Sequence, residues 1–289
     1  MREEKIGFVG LGEMGKPMAE NLVRKGFNLT VYDIRTERVE ELKALGATVA
    51  RSLKDLAEVS NKIIIMVRDV PQTEEVIFGK RGMWGALTEG ATIITTNSIN
   101  PLFCRELEAR AREKKIGVLD APVSGSRTGA AAGTLAIMVG GEEHLFKECL
   151  PIFEAMGSQI YHMGDIGAGE IAKLANGVMF YISVAAAFEG LALASHGGLK
   201  LDRFREVVRK STGNSWAIEN WDLLVQRGED YRREGKKGVT FMGMPAVMDS
   251  CLSLARHLDV HLPVLALVVN LDIENELLRE IKEGWFSPT

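Results

Sequence analysis

"KIGFVGLGEMGKPMAENL", Lys5 to Leu22, decides how the chain begins to fold. Its first apolar run has the length and β-branched content of a buried strand. Gly10, Gly12 and Gly15 follow in G-x-G-x-x-G spacing, and Met14 to Lys25 has a helical pattern closed by Gly26. Gly10 permits a tight turn, Gly12 lets a pyrophosphate approach the backbone, and Gly15 lets helix and strand pack closely. Free N–H groups at the start of such a helix favour phosphate. Strand, glycine loop and helix together predict a dinucleotide-binding unit, with Gly10, Leu11, Gly12, Glu13, Met14 and Gly15 as its loop.

The next apolar run, "NLTVYD", ends in Asp33, 18 residues beyond Gly15. An acid about 20 residues after the glycines holds the ribose hydroxyls of NAD and repels a 2′-phosphate. NAD is therefore the expected cofactor. Arg35 and Arg38 keep NADP as the alternative, because a guanidinium binds phosphate well.

Further apolar runs, "KIIIMV" (62–67), "ATIITT" (91–96), "IGVLDAPV" (116–123) and "TLAIMVGG" (134–141), alternate with amphipathic segments. "SLKD" (52–55) marks the start of a crossover helix. Fully apolar strands between helices predict a parallel sheet covered on both faces. The alternation stops near Met163, and "GDIGAG" forms a glycine-rich junction. Beyond it the text reads as helices: one long apolar helix over 170–196, then segments at 202–210, 215–227, 245–259 and 263–282. The expected organisation is a Rossmann-type α/β domain at 1–163 and an all-α domain at 164–289, joined by the long helix.

A formal net charge of −4 gives no footing for nucleic acid. Three scattered cysteines make no disulfide or metal pattern and fit a reducing cytoplasm. The N-terminus shows no signal peptide. The longest apolar run, Val178 to Phe188, is shorter than the ~20 residues that span a bilayer, so no membrane role is expected.

Several motifs, in order along the chain, resemble the β-hydroxyacid dehydrogenase family, relatives of 6-phosphogluconate dehydrogenase. "GFVGLGEMGKPMAENL" is similar to its cofactor segment and "TNSINP" (96–101) to its loop beside the nicotinamide. "DAPVSGSRTGAAAGTLAIMVGG" (120–141) is similar to its substrate segment, and "GAGEIAKLANG" (167–177) to its catalytic helix. The resemblance implies NAD(P)-dependent interconversion of a small β-hydroxyacid and its semialdehyde or keto acid. It implies that Lys173 is catalytic, that Asn176 orients substrate, and that Ser124, Gly125 and Ser126 hold the substrate carboxylate. Ser98, with Met66 and Val67, falls to the cofactor. Trp216 and Phe241 fall near the substrate, and Met248 takes a position where the family has a cofactor-directed lysine. A homodimer or homotetramer is implied as well.

The chemistry of the residues agrees with those roles. Oxidising an alcohol requires its O–H proton to leave, and a lysine accepts it when burial and nearby positive charge lower its pKa towards ~7–8. Lys173 and Asn176 are three apart, on one helix face, expected to line a cleft between the domains. The substrate is then small and anionic. Three positions depart from the family pattern: Gly177 replaces a second asparagine, Ser126 a glycine, and Met248 a lysine. The rival readings are an imine reductase on the same fold, which usually lacks the lysine, and a non-catalytic NAD sensor. His257 and His261, four apart, could share a helix face but lack the carboxylate of a zinc motif.

Overall fold

A computed structural model describes residues 4–233 and 245–270. The chain divides into two compact units between Lys173 and Leu174.

The first unit runs β1 (Lys5–Val9), α1 (Gly15–Arg24), β2 (Asn28–Tyr32), α2 (Thr36–Ala44), β3 (Thr48–Val49), α3 (Leu53–Val59) and β4 (Lys62–Ile65). It continues with α4 (Val70–Phe78), β5 (Thr92–Thr95), α5 (Pro101–Glu113), β6 (Gly117–Asp120), β7 (Val123–Ser124) and α6 (Ser126–Ala132). It ends with β8 (Leu135–Gly140), α7 (Glu143–Met156), β9 (Gly157–Gly164) and the start of α8 (Ala168–His196). The sheet order is β3-β2-β1-β4-β5-β6-β8-β7, with β9 also paired to β8. The pairs from β3 to β6 are all parallel.

Residues alternate between the two faces of each strand. Ile64 and Ile94 pack with Phe8 and Val31 in one core, while Ile63, Ile65 and Ile93 pack with Leu56 and Phe103 in another. Both faces of the parallel part are thus covered, as its all-apolar strands require. The helices start on side-chain caps. Ser52 accepts the Asp55 amide at 3.1 Å before α3, Asp69 accepts the Gln72 amide at 2.9 Å before α4, and Asn100 accepts the Leu102 amide at 2.9 Å before α5.

Two expectations are corrected. "TLAIMVGG" becomes β8, which runs antiparallel to β6 and β7. From β7 the chain returns through residues 125–134, short of the dozen or more residues that a parallel crossover needs. The sheet also gains β9, half of whose residues are exposed and whose apolar residues are interrupted by polar ones.

In the second unit the described residues are helical: the rest of α8, α9 (Leu201–Arg209), α10 (Trp216–Glu219), α11 (Trp221–Arg233), α12 (Pro245–His257) and α13 (Pro263–Asn270). Leu174, Tyr181, Val184, Phe188 and Leu191 form a stripe at helical spacing along α8. They pack with Ile218, Trp221 and Leu224, and with Cys251, Leu265 and Val268. At 29 residues, α8 outruns its uninterrupted apolar segment and is long and apolar enough to cross a membrane. Its buried stripe is equally what a core helix presents.

Candidate functional site

The cofactor loop lies where the sheet order reverses, between β1 and β4, the place where open α/β sheets bind ligands. Gly10 holds φ +95°, and a Cβ there would overlap the Met66 carbonyl at the end of β4. A Cβ on Gly15 would overlap the Gly10 carbonyl, so α1 can start this close to β1 only with glycine. Gly12 differs: an added Cβ would meet nothing nearer than Arg38 Nη1 at 3.8 Å. Its backbone borders open space. No side chain caps α1, which leaves its N-terminus to an anion. Leu11 is buried, whereas Glu13 is exposed beside it.

Asp33 follows β2. Its carboxylate accepts the Leu11 amide at 2.6 Å and the Arg35 amide at 2.8 Å, and Arg38 Nη1 stands 4.0 Å away. Each oxygen keeps a lone pair for a ribose hydroxyl. Arg35 is exposed and Arg38 half-buried. Open backbone, uncapped helix and flanking acid are the features a nicotinamide dinucleotide needs here.

A second cluster forms around the start of α8. Asp120, fully buried at the end of β6, accepts the Gly167 amide at 2.6 Å and the Glu170 amide at 2.7 Å. These bonds fasten the first turn of α8 to the sheet. A Cβ on Gly169 would overlap the Met138 carbonyl, and one on Gly167 would lie 3.1 Å from the Pro101 carbonyl. The glycines of "GAGEIAK" therefore let α8 sit down on β6, β8 and the start of α5. Burial raises the Asp120 pKa above the usual carboxylate range, against the pull of its amide bonds. The Cys104 thiol on α5 is pushed well up by burial, with Asp120 and Glu170 adding to it.

Glu170 is also fully buried, and no side chain hydrogen-bonds its carboxyl oxygens. Burial pushes its pKa well up, the Asp120 charge pushes further, and the Ile99 amide and Lys173 oppose them. One turn later comes Lys173, half-buried. Burial lowers its pKa below 10.5, and Glu170 raises it part of the way back. An amine so placed gives up its proton more readily than a surface lysine, as a proton acceptor for an alcohol must.

The "TNSINP" loop leaves β5 and caps α5. Ser98 is half-buried. Asn97 beside it is buried, donating its amide to Thr73 Oγ1 at 3.0 Å, while its carbonyl oxygen has no partner. Met66 and Val67 are half-buried at the end of β4. Ser124 ends β7, half-buried; Gly125 follows at φ +136° and Ser126 at φ +60°. Ser126 holds a conformation that glycine would adopt more readily.

In the helical unit Asn176 is exposed. Trp216 is 51% exposed, its ring edge-on to Phe180 at 5.6 Å. Met248 is 6% exposed within the core of that unit, beside Cys251. Its side chain packs in that core. Phe241 lies outside the described residues. α12 ends at His257, so His261 does not share its helix face.

Asp120, Glu170 and Asn97 escaped assignment from sequence. An acid ending an apolar strand and an acid inside a glycine-rich helix start were the available signals.

Comparison with known proteins accounts for both units. Residues 5–164 match the NAD binding domain of 6-phosphogluconate dehydrogenase, and 167–274 match the family described as NAD-binding of NADP-dependent 3-hydroxyisobutyrate dehydrogenase. An NAD-dependent L-serine dehydrogenase of Pseudomonas aeruginosa is 38% identical over 216 residues, 75% of this chain and 72% of that protein. A 2-hydroxy-3-oxopropionate reductase of Escherichia coli K12 is 40% identical over 224 residues, 77% of this chain and 76% of that protein. The structure of a 3-hydroxyisobutyrate dehydrogenase of Mycobacterium tuberculosis with L-serine superimposes with TM-score 0.79 at 27% identity, covering 96% of this chain and 94% of that one. The chain belongs to the β-hydroxyacid dehydrogenase family and is an NAD(P)-dependent oxidoreductase acting on the CH–OH group of hydroxyacids.

Proposed function

We propose that the enzyme interconverts a β-hydroxyacid of three to five carbons and its semialdehyde or keto acid, with Lys173 as general acid/base and NAD as the preferred cofactor. The observation that carries this reading is the desolvated Lys173 amine on the turn of α8 fastened by Asp120. Relatives acting on L-serine and 2-hydroxy-3-oxopropionate point to the same substrate size.

The dinucleotide, when bound, supplies the hydride acceptor or donor. Gly10, Leu11, Gly12, Glu13, Met14 and Gly15 would hold its pyrophosphate, Asp33 its adenosine ribose, and Met66, Val67 and Ser98 its nicotinamide half. Lys173 takes the hydroxyl proton as the carbonyl forms, and returns it in reduction. Ser124, Gly125 and Ser126 bind the substrate carboxylate through backbone N–H groups and the Ser124 hydroxyl. Asn176, Trp216 and Phe241 are the proposed contributors from the helical unit.

Exposed apolar side chains on that unit, Met179, Leu193 and Leu267 among them, support a homodimer or homotetramer. Light scattering coupled to gel filtration decides the subunit count. Three free, buried cysteines suit a reducing compartment, and we place the enzyme in the cytoplasm.

The test is a nicotinamide absorbance screen of small hydroxyacids and semialdehydes with both cofactors, run on wild type and Lys173→Ala. The variant should bind dinucleotide normally and lose about 10²–10⁴ in kcat on the best substrate. A variant turning over near the wild-type rate would remove Lys173 from the chemistry. Activity confined to cyclic imines would favour the imine reductase reading.

A further inference from the structure

We propose that Glu170 is a positioning residue for the reaction, its buried carboxyl acting as the counter-charge that sets how strongly Lys173 holds a proton. This rests on the reading of Lys173 as the acid/base. Glu170 is fully enclosed, yet no side chain hydrogen-bonds its oxygens, and the Ile99 amide is the one backbone group directed at them. A buried polar group without a partner is rare and calls for a cause. Packing alone would be served better by an apolar side chain.

The charged and titratable groups around it are few. Asp120 approaches from β6, its oxygens engaged by the amides of Gly167 and Glu170. From α5 comes the Cys104 thiol, and the Ile99 amide precedes that helix. On α8 itself Lys173 follows one turn later. Asp120 is satisfied by α8 amides; Glu170 is not. Burial makes a charge costly on either group. Charged together, each lowers the cost of the other.

The consequence falls on the proton step. In oxidation the substrate O–H proton passes to the Lys173 amine, the carbon–oxygen double bond forms, and the hydride leaves to the oxidised nicotinamide. Lys173 becomes an ammonium, and the Glu170 carboxylate holds that charge without gaining or losing a bond. The carboxyl thereby fixes the pH at which oxidation turns on.

Two readouts test this on full-length enzyme. The first is the pH dependence of Lys173 acetylation by acetic anhydride in the free protein, followed by peptide mass spectrometry. The second is the acid limb of kcat/KM for oxidation. In Glu170→Gln both midpoints should move down by about 1–2 pH units, with the KM for dinucleotide unchanged, and Glu170→Asp should restore part of the shift. Unmoved midpoints overturn the proposal. Should Glu170→Gln fold poorly, Lys173→Met reads the same coupling: an infrared difference spectrum against wild type at neutral pH should show a new protonated carboxyl band, and its absence overturns the proposal. If Lys173→Ala retains turnover, the acid/base reading fails by itself, whereas the acetylation shift still reports on the Glu170 charge.

Discussion

Gly10→Ala and Gly12→Ala, two residues apart in sequence, should fail in opposite ways. At Gly10 an alanine meets two penalties. The left-handed backbone at φ +95° costs an L-residue roughly 1–2 kcal/mol. Its Cβ would also overlap the Met66 carbonyl, so β1 and β4 must part where they are hydrogen-bonded. A total of about 2–4 kcal/mol is expected, or roughly 5–15 °C in Tm for a unit of this size. At Gly12 the backbone is unstrained and the Cβ has room, its nearest neighbour being Arg38 at 3.8 Å. Stability should stay within about 0.5 kcal/mol of wild type. The methyl group instead stands where the pyrophosphate must approach. Losing even one charge-assisted contact there, about 2 kcal/mol, weakens dinucleotide binding roughly 30-fold. Scanning fluorimetry without ligand reads the first effect, and calorimetric titration with NADH the second. Wild-type affinity in Gly12→Ala would refute the placement of the phosphates, and an unchanged Tm in Gly10→Ala would refute the switch-point geometry.

Asp33→Asn removes the carboxylate expected to repel a 2′-phosphate while keeping an oxygen for the Leu11 amide. The preference for NAD over NADP in kcat/KM should narrow by about tenfold or more. Lys173 also makes stability depend on pH. Its folded pKa lies below 10.5, so between that lowered value and 10.5 the unfolded chain binds more protons than the native one. Stability from this group is therefore complete above pH 10.5, falls as pH drops through that window, and the dependence should vanish in Lys173→Met. Urea midpoints measured across the window on both proteins check this, and parallel curves would contradict it.

What could be read in advance follows from how local each determinant is. β1, β2, β4, β5 and β6 are short apolar strands buried on both faces, and the glycines of the cofactor loop have fixed spacing, so both were legible. β9 was not, because Ser158, Gln159 and His162 interrupt its apolar residues and leave no clear strand pattern. Nor was the direction of β8, which the shortness of its return through α6 decides. Asp120 and Glu170 stayed hidden for another reason. The bonds from Asp120 reach amides 47 and 50 residues away, and the isolation of Glu170 depends on α5, β6 and α8 meeting. The same holds for Met248, whose place in the helical core no local motif announces.

Chemical rescue of Lys173→Ala by small primary amines tests the acid/base assignment most directly. Added ethylamine should restore oxidation in proportion to its concentration, with the rate rising as pH passes through the amine's own pKa, while dinucleotide and substrate affinities stay at wild-type levels. A variant that binds both ligands normally and is not rescued by any amine, at any pH, would contradict the claim that the Lys173 side chain carries the proton.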